Sequence, residues 1–413
     1  MLKLKHETTL KSITAEVEKQ ISEHHQEIEA VSLHNQAKVM KAFSDHQVAD
    51  FHFTPSTGYG YDDVGRDTLE SIYAQVFGGE AALVRPQIIS GTHAIATALF
   101  GVLRPGDVLL YITGKPYDTL EEIVGIRGNG NGSLKEFQIG YEAVPLLESG
   151  WIDEERIRSS ITDQTKMIGI QRSKGYGQRP SYTVGQIKEM IQFVKSIKED
   201  VIVFVDNCYG EFVETEEPCE VGADLIAGSL IKNPGGGIVK TGGYLVGRKD
   251  LVELSSYRLA APGIGAEGGA SLYSLLEMYQ GFFLAPHVVS QALKGAIFTA
   301  AILEKIGMST SPKWDERRTD LIQSVQFPSA EKMIAFCQSI QAASPVNAHV
   351  SPQPSPMPGY NDPVIMAAGT FIQGASIELT ADGPIRPPYV AYVQGGLTYE
   401  HVKIAVLQAI DST

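Results

Sequence analysis

Three short stretches carry polar residues whose types and positions could do chemistry together. The run VIVFVDNCYGEF places Asp206 directly behind the apolar residues Val201 to Val205. In IISGTHAIATAL, Ser90, Gly91 and Thr92 stand between a strand-like and a helix-like segment. Free backbone N–H groups and the positive end of a helix dipole can hold a phosphate there. The segment ADLIAGSLIKNPGGG then brings Ser229 and Lys232 out of another apolar stretch. Taken singly, each has an ordinary structural explanation, and a lysine entering an Asn-Pro-Gly turn is usually a solvated surface residue. Together they are the set needed to hold pyridoxal phosphate: an amine for the aldehyde, a small turn with nearby hydroxyls for the phosphate, and a carboxylate for the pyridinium nitrogen. That carboxylate favours the protonated ring, and a protonated ring withdraws electrons from a substrate's α-carbon.

The elements that must position these groups can be read from periodicity. DTLESIYAQVFGG reads as a helix ended by Gly78 and Gly79, ALVRPQIIS as a strand, and THAIATALFGVL as a helix closed by Pro105 and Gly106. VLLYIT, MIGIQ and VIVFV are short apolar runs, the last preceded by the helical stretch TVGQIKEMIQFVKSIKED. Alternating strands and helices predict an α/β fold with a mainly parallel sheet covered on both faces, and such sheets bind ligands at the carboxyl ends of their strands. Asp206 falls at such an end. Residues 8–43 repeat apolar positions at helical spacing, so residues 1–55 are expected to form a helical arm that packs on its own domain or across a dimer interface. The cofactor-binding large domain is placed at 56–290. A smaller α+β domain follows at 291–413, with strand-like GTFIQGASIEL and PYVAYVQ and a last helix YEHVKIAVLQAI.

Composition excludes several classes. At 413 residues, 43% hydrophobic and 20% charged, the chain can bury a large core and should divide into two globular parts. A formal charge of −14 argues against a nucleic-acid partner, whose phosphates need clustered Lys and Arg. No apolar run is long enough to span a membrane, and the first twenty residues lack the apolar core of a signal peptide, so a cytoplasmic location is expected. Cys208, Cys219 and Cys337 are too irregularly spaced for a disulfide framework or a zinc site and are read as free thiols. His24 and His25 have no matching ligands at metal spacing. GNGNGS at 128–133 lacks the Gly-Lys-Ser/Thr ending of a nucleotide loop and reads as a flexible hairpin.

The run VDNCYGEF, followed by GSLIK and a glycine-rich stretch, resembles the VDN and S-x-x-K segments of the fold-type I pyridoxal-phosphate enzymes of cysteine and methionine metabolism. Over nearly its full length the chain is similar to the bacterial aluminium resistance or methionine gamma-lyase family, most specifically in QRSKGYGQRPS and IKNPGGGIVKTGGYLVG. The resemblance implies that Lys232 carries the cofactor, Asp206 pairs with the pyridinium nitrogen, Ser229 contacts the phosphate, and Gly91 and Thr92, next to Ser90, form the phosphate turn. It implies a cofactor-stacking role for Tyr117 in GKPYDTLEE. It also implies that Tyr59 or Tyr61, with Arg66, reaches the phosphate of a neighbouring subunit, so a homodimer or homotetramer is expected.

Two departures bear on the substrate. Ile231 precedes the lysine where the transsulfuration enzymes commonly have a hydroxyl residue, and YVAYVQGGL lacks their carboxylate-binding arginine. Arg386 in GPIRPP is the substitute for a bidentate grip on the substrate carboxylate, and Arg172, behind the strand MIGIQ, is the rival. The expected activity is a pyridoxal-phosphate-dependent carbon–sulfur lyase acting on an amino acid of cystathionine or methionine type. The open alternatives are another α-carbon reaction of the same cofactor, such as transamination or aldol cleavage, and a non-catalytic metal-tolerance protein.

Overall fold

A computed structural model describes residues 7–177, 179–358 and 360–412. The first six residues of the expected arm, Gln178, Gly359 and Thr413 lie outside the described residues. The large sheet contains β1 (Ala81–Arg85), β2 (Val108–Tyr111), β3 (Gly140–Ala143), β4 (Thr165–Gln171), β5 (Ile202–Asp206), β6 (Leu225–Ser229) and β7 (Gly243–Gly247). Their order is β1-β7-β6-β5-β4-β2-β3, with β7 antiparallel to both neighbours and every other pairing along the β3 to β6 stretch parallel. The smaller sheet is antiparallel: β8 (Ser309–Ser311), β9 (Gln323–Gln326), β10 (Val364–Ala367), β11 (Thr380–Pro384) and β12 (Val390–Gln394), in the order β10-β11-β12-β9-β8. The expected α/β large domain and α+β small domain are both present.

Among the described residues, ten α-helices surround these sheets: α1 (Glu7–Asp45), α2 (Val64–Phe77), α3 (Gly91–Val102), α4 (Glu121–Val124), α5 (Glu154–Ser160), α6 (Val184–Ile197), α7 (Lys249–Leu259), α8 (Leu275–Lys305), α9 (Ala330–Ala342) and α10 (Tyr399–Ser412). Their ends follow local chemistry. Asp63 accepts a hydrogen bond from the Arg66 N–H to start α2, and Gly78, at φ +75°, ends it. Thr183 and Gln186 form a reciprocal capping box at the start of α6.

The pleat of β5 sorts its side chains. Val203 and Val205 join the core under α2, α6 and α8, whereas Ile202 and Phe204 join the core under α3 and α7. Asp206 continues the second series and therefore leaves the sheet on the α3 side.

The N-terminal arm is one continuous helix rather than two. Val17 and Ile21 of α1 enter the small-domain core, and Val39 and Ala42 enter the large-domain core, so the arm straps across its own chain. Helix α8 does the same. Its residues as far as Leu293 pack with the large sheet and those from Ile297 with the small one, so position 290, where composition placed the boundary, falls inside a single helix.

Two strand expectations are corrected. ALVRPQIIS ends as a strand at Arg85, because Pro86 has no N–H to continue the ladder. GTFIQGASIEL is a turn until Thr380. The Glu378 carboxylate accepts from the N–H groups of Phe371 and Ile372, both at 2.9 Å, and curls the segment on itself.

Candidate active site

The carboxyl ends of β4, β5 and β6 lie side by side, with Gln171 opposite Asp206 and Asp206 opposite Ala227 in the ladder. Pleat parity puts Gln171, Asp206 and Ser229 on the α3 face together. They open into a cavity of about 180 Å³ that is also lined by Ser90, Gly91, Thr92, Tyr117, Cys208, Tyr209 and Lys232. All the expected residues of the phosphate turn, the strand-end acid, the phosphate hydroxyl, the aromatic of GKPYDTLEE and the lysine thus border one space.

The turn before α3 is built for close approach. Ser90 caps the helix by accepting from the His93 N–H at 3.0 Å, and Thr92 Oγ1 lies 3.0 Å from Thr119 Oγ1. A Cβ added at Gly91 would stand 3.2 Å from Cys208 Sγ and 3.4 Å from Ser229 Cβ, so a side chain there would crowd the floor between turn and strand. Across the cavity, Asp206 Oδ1 accepts from the Cys208 N–H at 3.1 Å. Tyr209 adopts φ +71°, rare for a non-glycine residue, and this turn sets its ring 4.0 Å from Lys232 Nζ.

Electrostatics tie the two charged groups to each other. Burial pushes the Asp206 carboxyl up, and the Lys232 ammonium is foremost in opposing that rise. Burial disfavours the Lys232 ammonium too, but the groups around it, Cys208, Tyr209, Asp206 and Glu211, outweigh burial and raise its pKa. Burial lifts the Cys208 thiol well above its ordinary value and the Tyr209 phenol upward, so both are neutral near pH 7. Asp206 is therefore the neighbour whose charge can answer the lysine.

The donor set fits pyridoxal phosphate. The start of α3 with Thr92 and Ser229 can take the phosphate, Lys232 the aldehyde carbon and Asp206 the ring nitrogen. Gln171, which lines the same space, donates through Nε2 to the Ser173 carbonyl at 2.9 Å, but its buried Oε1 is unpaired among the described residues. Such an orphan suits a bound polar group.

Other expected residues lie elsewhere. Arg172 does not reach the cavity. It is one residue past Gln171, so the pleat turns it to the opposite face, where its guanidinium meets Asn207 at 2.8 Å, Glu214 at 3.2 Å and Glu217 at 3.3 Å. That correction removes it as a substrate ligand. Arg386 is exposed, pairs with Asp362 at 3.0 Å and does not line the cavity, although its charge acts on Asp118 beside Tyr117. Arg66 is buried and donates to the carbonyls of Gly60 at 2.6 Å and Gly269 at 3.0 Å, so it fixes the preceding turn and is not presented to a ligand. That turn carries Tyr59 and Tyr61, stacked 5.3 Å apart and 77% and 53% exposed, away from the chain's own cavity.

Sequence reasoning missed Gln171, Cys208, Tyr209 and Tyr360. Gln171 carried the same sign as Asp206, a polar residue closing an apolar strand. Tyr360 is remote in sequence: its hydroxyl lies 2.5 Å from that of Tyr117, across 243 positions.

The family model for methionine gamma-lyase matches residues 10–413. The Bacillus subtilis protein YnbB is 70% identical over 410 residues, covering 99% of this chain and 97% of YnbB. A solved Bacillus cereus protein is 71% identical with a TM-score of 0.96, covering 98% of this chain and 100% of that one. A carbon–sulfur lyase involved in aluminum resistance from Clostridium novyi is 49% identical with a TM-score of 0.94, covering 98% of this chain and 96% of that one. At 17% identity, the pyridoxal-5'-phosphate-dependent protein YhfS of Escherichia coli shares the fold, with a TM-score of 0.61. With its matched length and the arrangement at the ends of β4, β5 and β6, this chain belongs to the methionine gamma-lyase family.

Proposed function

We infer that this protein holds pyridoxal phosphate on Lys232 and cleaves a carbon–sulfur bond in an amino acid of cystathionine or methionine type, giving a thiol, a keto acid and ammonia. The observation that carries the reading is the meeting of Lys232, Asp206, Ser229 and the Ser90–Thr92 turn around one cavity in a chain of this family. When bound, the cofactor supplies an electron sink for charge at the substrate's α-carbon.

The chain's own residues do the rest. With the cofactor bound, the Lys232 amine would be the group placed to take the proton from the substrate's α-carbon. The Asp206 carboxylate would keep a proton on the ring nitrogen, and the N–H groups opening α3 would hold the phosphate with the Thr92 and Ser229 hydroxyls. Tyr117 offers a ring to stack, while Ile95, Leu120 and Ile231 keep that wall of the site apolar and limit water.

Arg386 serves as the substrate-carboxylate ligand in this reading, by leaving Asp362 for the incoming anion. Tyr59 and Tyr61 serve the phosphate of a neighbouring subunit, which makes a homodimer or a tetramer built of dimers the working form. Their exposure supports this role. The partner is a small amino acid rather than nucleic acid or a membrane, and the setting is the cytoplasm. Among the described residues no helix is long and apolar enough to cross a membrane. The test is an amino-acid screen with the purified, cofactor-loaded protein: thiol and keto acid should appear together from a sulfur amino acid. Stoichiometric conversion of the cofactor to its amine form without thiol would instead mark a transaminase.

A further inference from the structure

Tyr360 belongs to the Pro-rich connection SPVNAHVSPQPSPMPGYND, of which the proposed function uses only the last residue, Asp362. Its hydroxyl makes a 2.5 Å hydrogen bond to Tyr117, which borders the cavity. The segment is tied to the large domain next to Tyr360, where Asn361 Oδ1 accepts from Arg127 at 3.3 Å. A third phenol, Tyr176, lies 5.9 Å from Tyr117 and 5.6 Å from Tyr360 by ring centroid. Its own proton is committed to Asp382 Oδ1 at 2.6 Å, and Asp382 is fixed again by Gln394 at 2.9 Å. Tyr176 therefore braces the pair without competing for its proton. Burial increases inward along the pair: it pushes Tyr117 well above the ordinary phenol range and Tyr360 to about 12. Tyr360 itself is half-buried, and Asn361 beside it is exposed, as is Pro358 two residues earlier.

We propose that Tyr360 is a positioning residue that resupplies, through Tyr117, the proton taken by the departing sulfur. The inference rests on the carbon–sulfur reading. In the step, the C–S bond breaks with its electron pair on sulfur, and the sulfur forms an S–H bond with the Tyr117 hydroxyl proton. Tyr117 oxygen then takes the proton of Tyr360, and Tyr360 recovers one from solvent, balanced by the α-proton that Lys232 later releases to solvent. No oxidant or further reactant is needed. A poor leaving group, such as an alkyl thiol, needs that proton; an aryl thiol, stable as its anion, needs it far less.

The test compares wild-type and Tyr360→Phe proteins, both cofactor-loaded, on S-alkyl and S-aryl cysteines, with α-proton exchange into deuterated water followed by NMR. Exchange precedes C–S cleavage and does not involve the relay. The expected result is a fall of about tenfold or more in the ratio of alkyl-thiol release to exchange, a loss several-fold smaller for the aryl thiol, and a similar pattern in Tyr117→Phe with no further loss in the double variant. Equal losses of exchange and of both thiols would mean a purely structural role and would overturn the proposal, as would an unchanged ratio. A wild-type protein that exchanges the α-proton but releases no thiol would instead sink the carbon–sulfur reading, and the relay with it.

Discussion

Asp206 is useful only because the groups behind it do not compete for its charge. Glu211 is the nearest test of that statement: it is fully buried, and its Oε1 accepts from the Tyr244 hydroxyl at 2.8 Å. Its Oε2 has no partner among the described residues, and burial pushes the acid up to about 8, so it is mostly neutral near pH 7. The unfolded chain gives up this proton near its ordinary value of 4.5, and the folded chain keeps it until about 8. Stability from this group is therefore full below the lower value, falls as pH rises between the two, and is level above the higher one. Glu211→Gln mimics the neutral acid and removes that dependence. Denaturation at pH 5 and pH 8 should show the variant gaining on wild type by roughly 2–4 kcal/mol over the interval; a pH-independent difference would mean that Glu211 is ionised in the fold. At this scale the sequence was legible where chemistry and position coincide. Lys232 and Asp206 announced themselves as polar residues ending buried runs, and Arg172 misled only because its place one step past Gln171 was not carried through the pleat.

Among the elements, the turn into α3 has the narrowest tolerance. Ser90 closes the helix start through the 3.0 Å bond from His93 N–H, leaving the other first-turn N–H groups for an anion. Ser90→Ala should cost about 1 kcal/mol in chemical denaturation of the cofactor-free protein, and it should also weaken pyridoxal-phosphate binding, measured by absorbance titration. A stability loss without any change in affinity would separate the cap from the phosphate site. Elements with an unbroken apolar run, such as β4 and β5, or with helical spacing, such as α6, could be read directly from their residues. GTFIQGASIEL could not, because its turn depends on one carboxylate, Glu378, folding back on two N–H groups. Tyr209 was equally hidden, since its place over Lys232 follows from a positive φ that no residue in VDNCYGEF announces.

Across the whole molecule, α1 and α8 each cross from the core of the large sheet to that of the small one, so the two domains share their longest helices. This coupling was not visible in composition, which marks where patterns change but not which helix spans the change. Outward, the Tyr59–Tyr61 pair points away from the chain's own cavity on a turn locked by Arg66. If the pair completes a neighbour's site, Tyr59→Ala/Tyr61→Ala protein and Lys232→Ala protein should each be nearly inactive alone. Dissociated and reassembled together, they should recover activity, because a mixed dimer contains one site with both parts intact. No recovery despite verified mixed dimers would confine the tyrosines to a structural role.

The central claim is that one amine, at position 232, carries the cofactor. Purified protein loaded with pyridoxal phosphate should be reduced with borohydride, digested and mapped by mass spectrometry. The account predicts a single pyridoxyl adduct on the peptide containing Lys232, absent in Lys232→Ala along with the visible absorbance of the loaded protein. An adduct on another lysine, or undiminished absorbance in the variant, would contradict it.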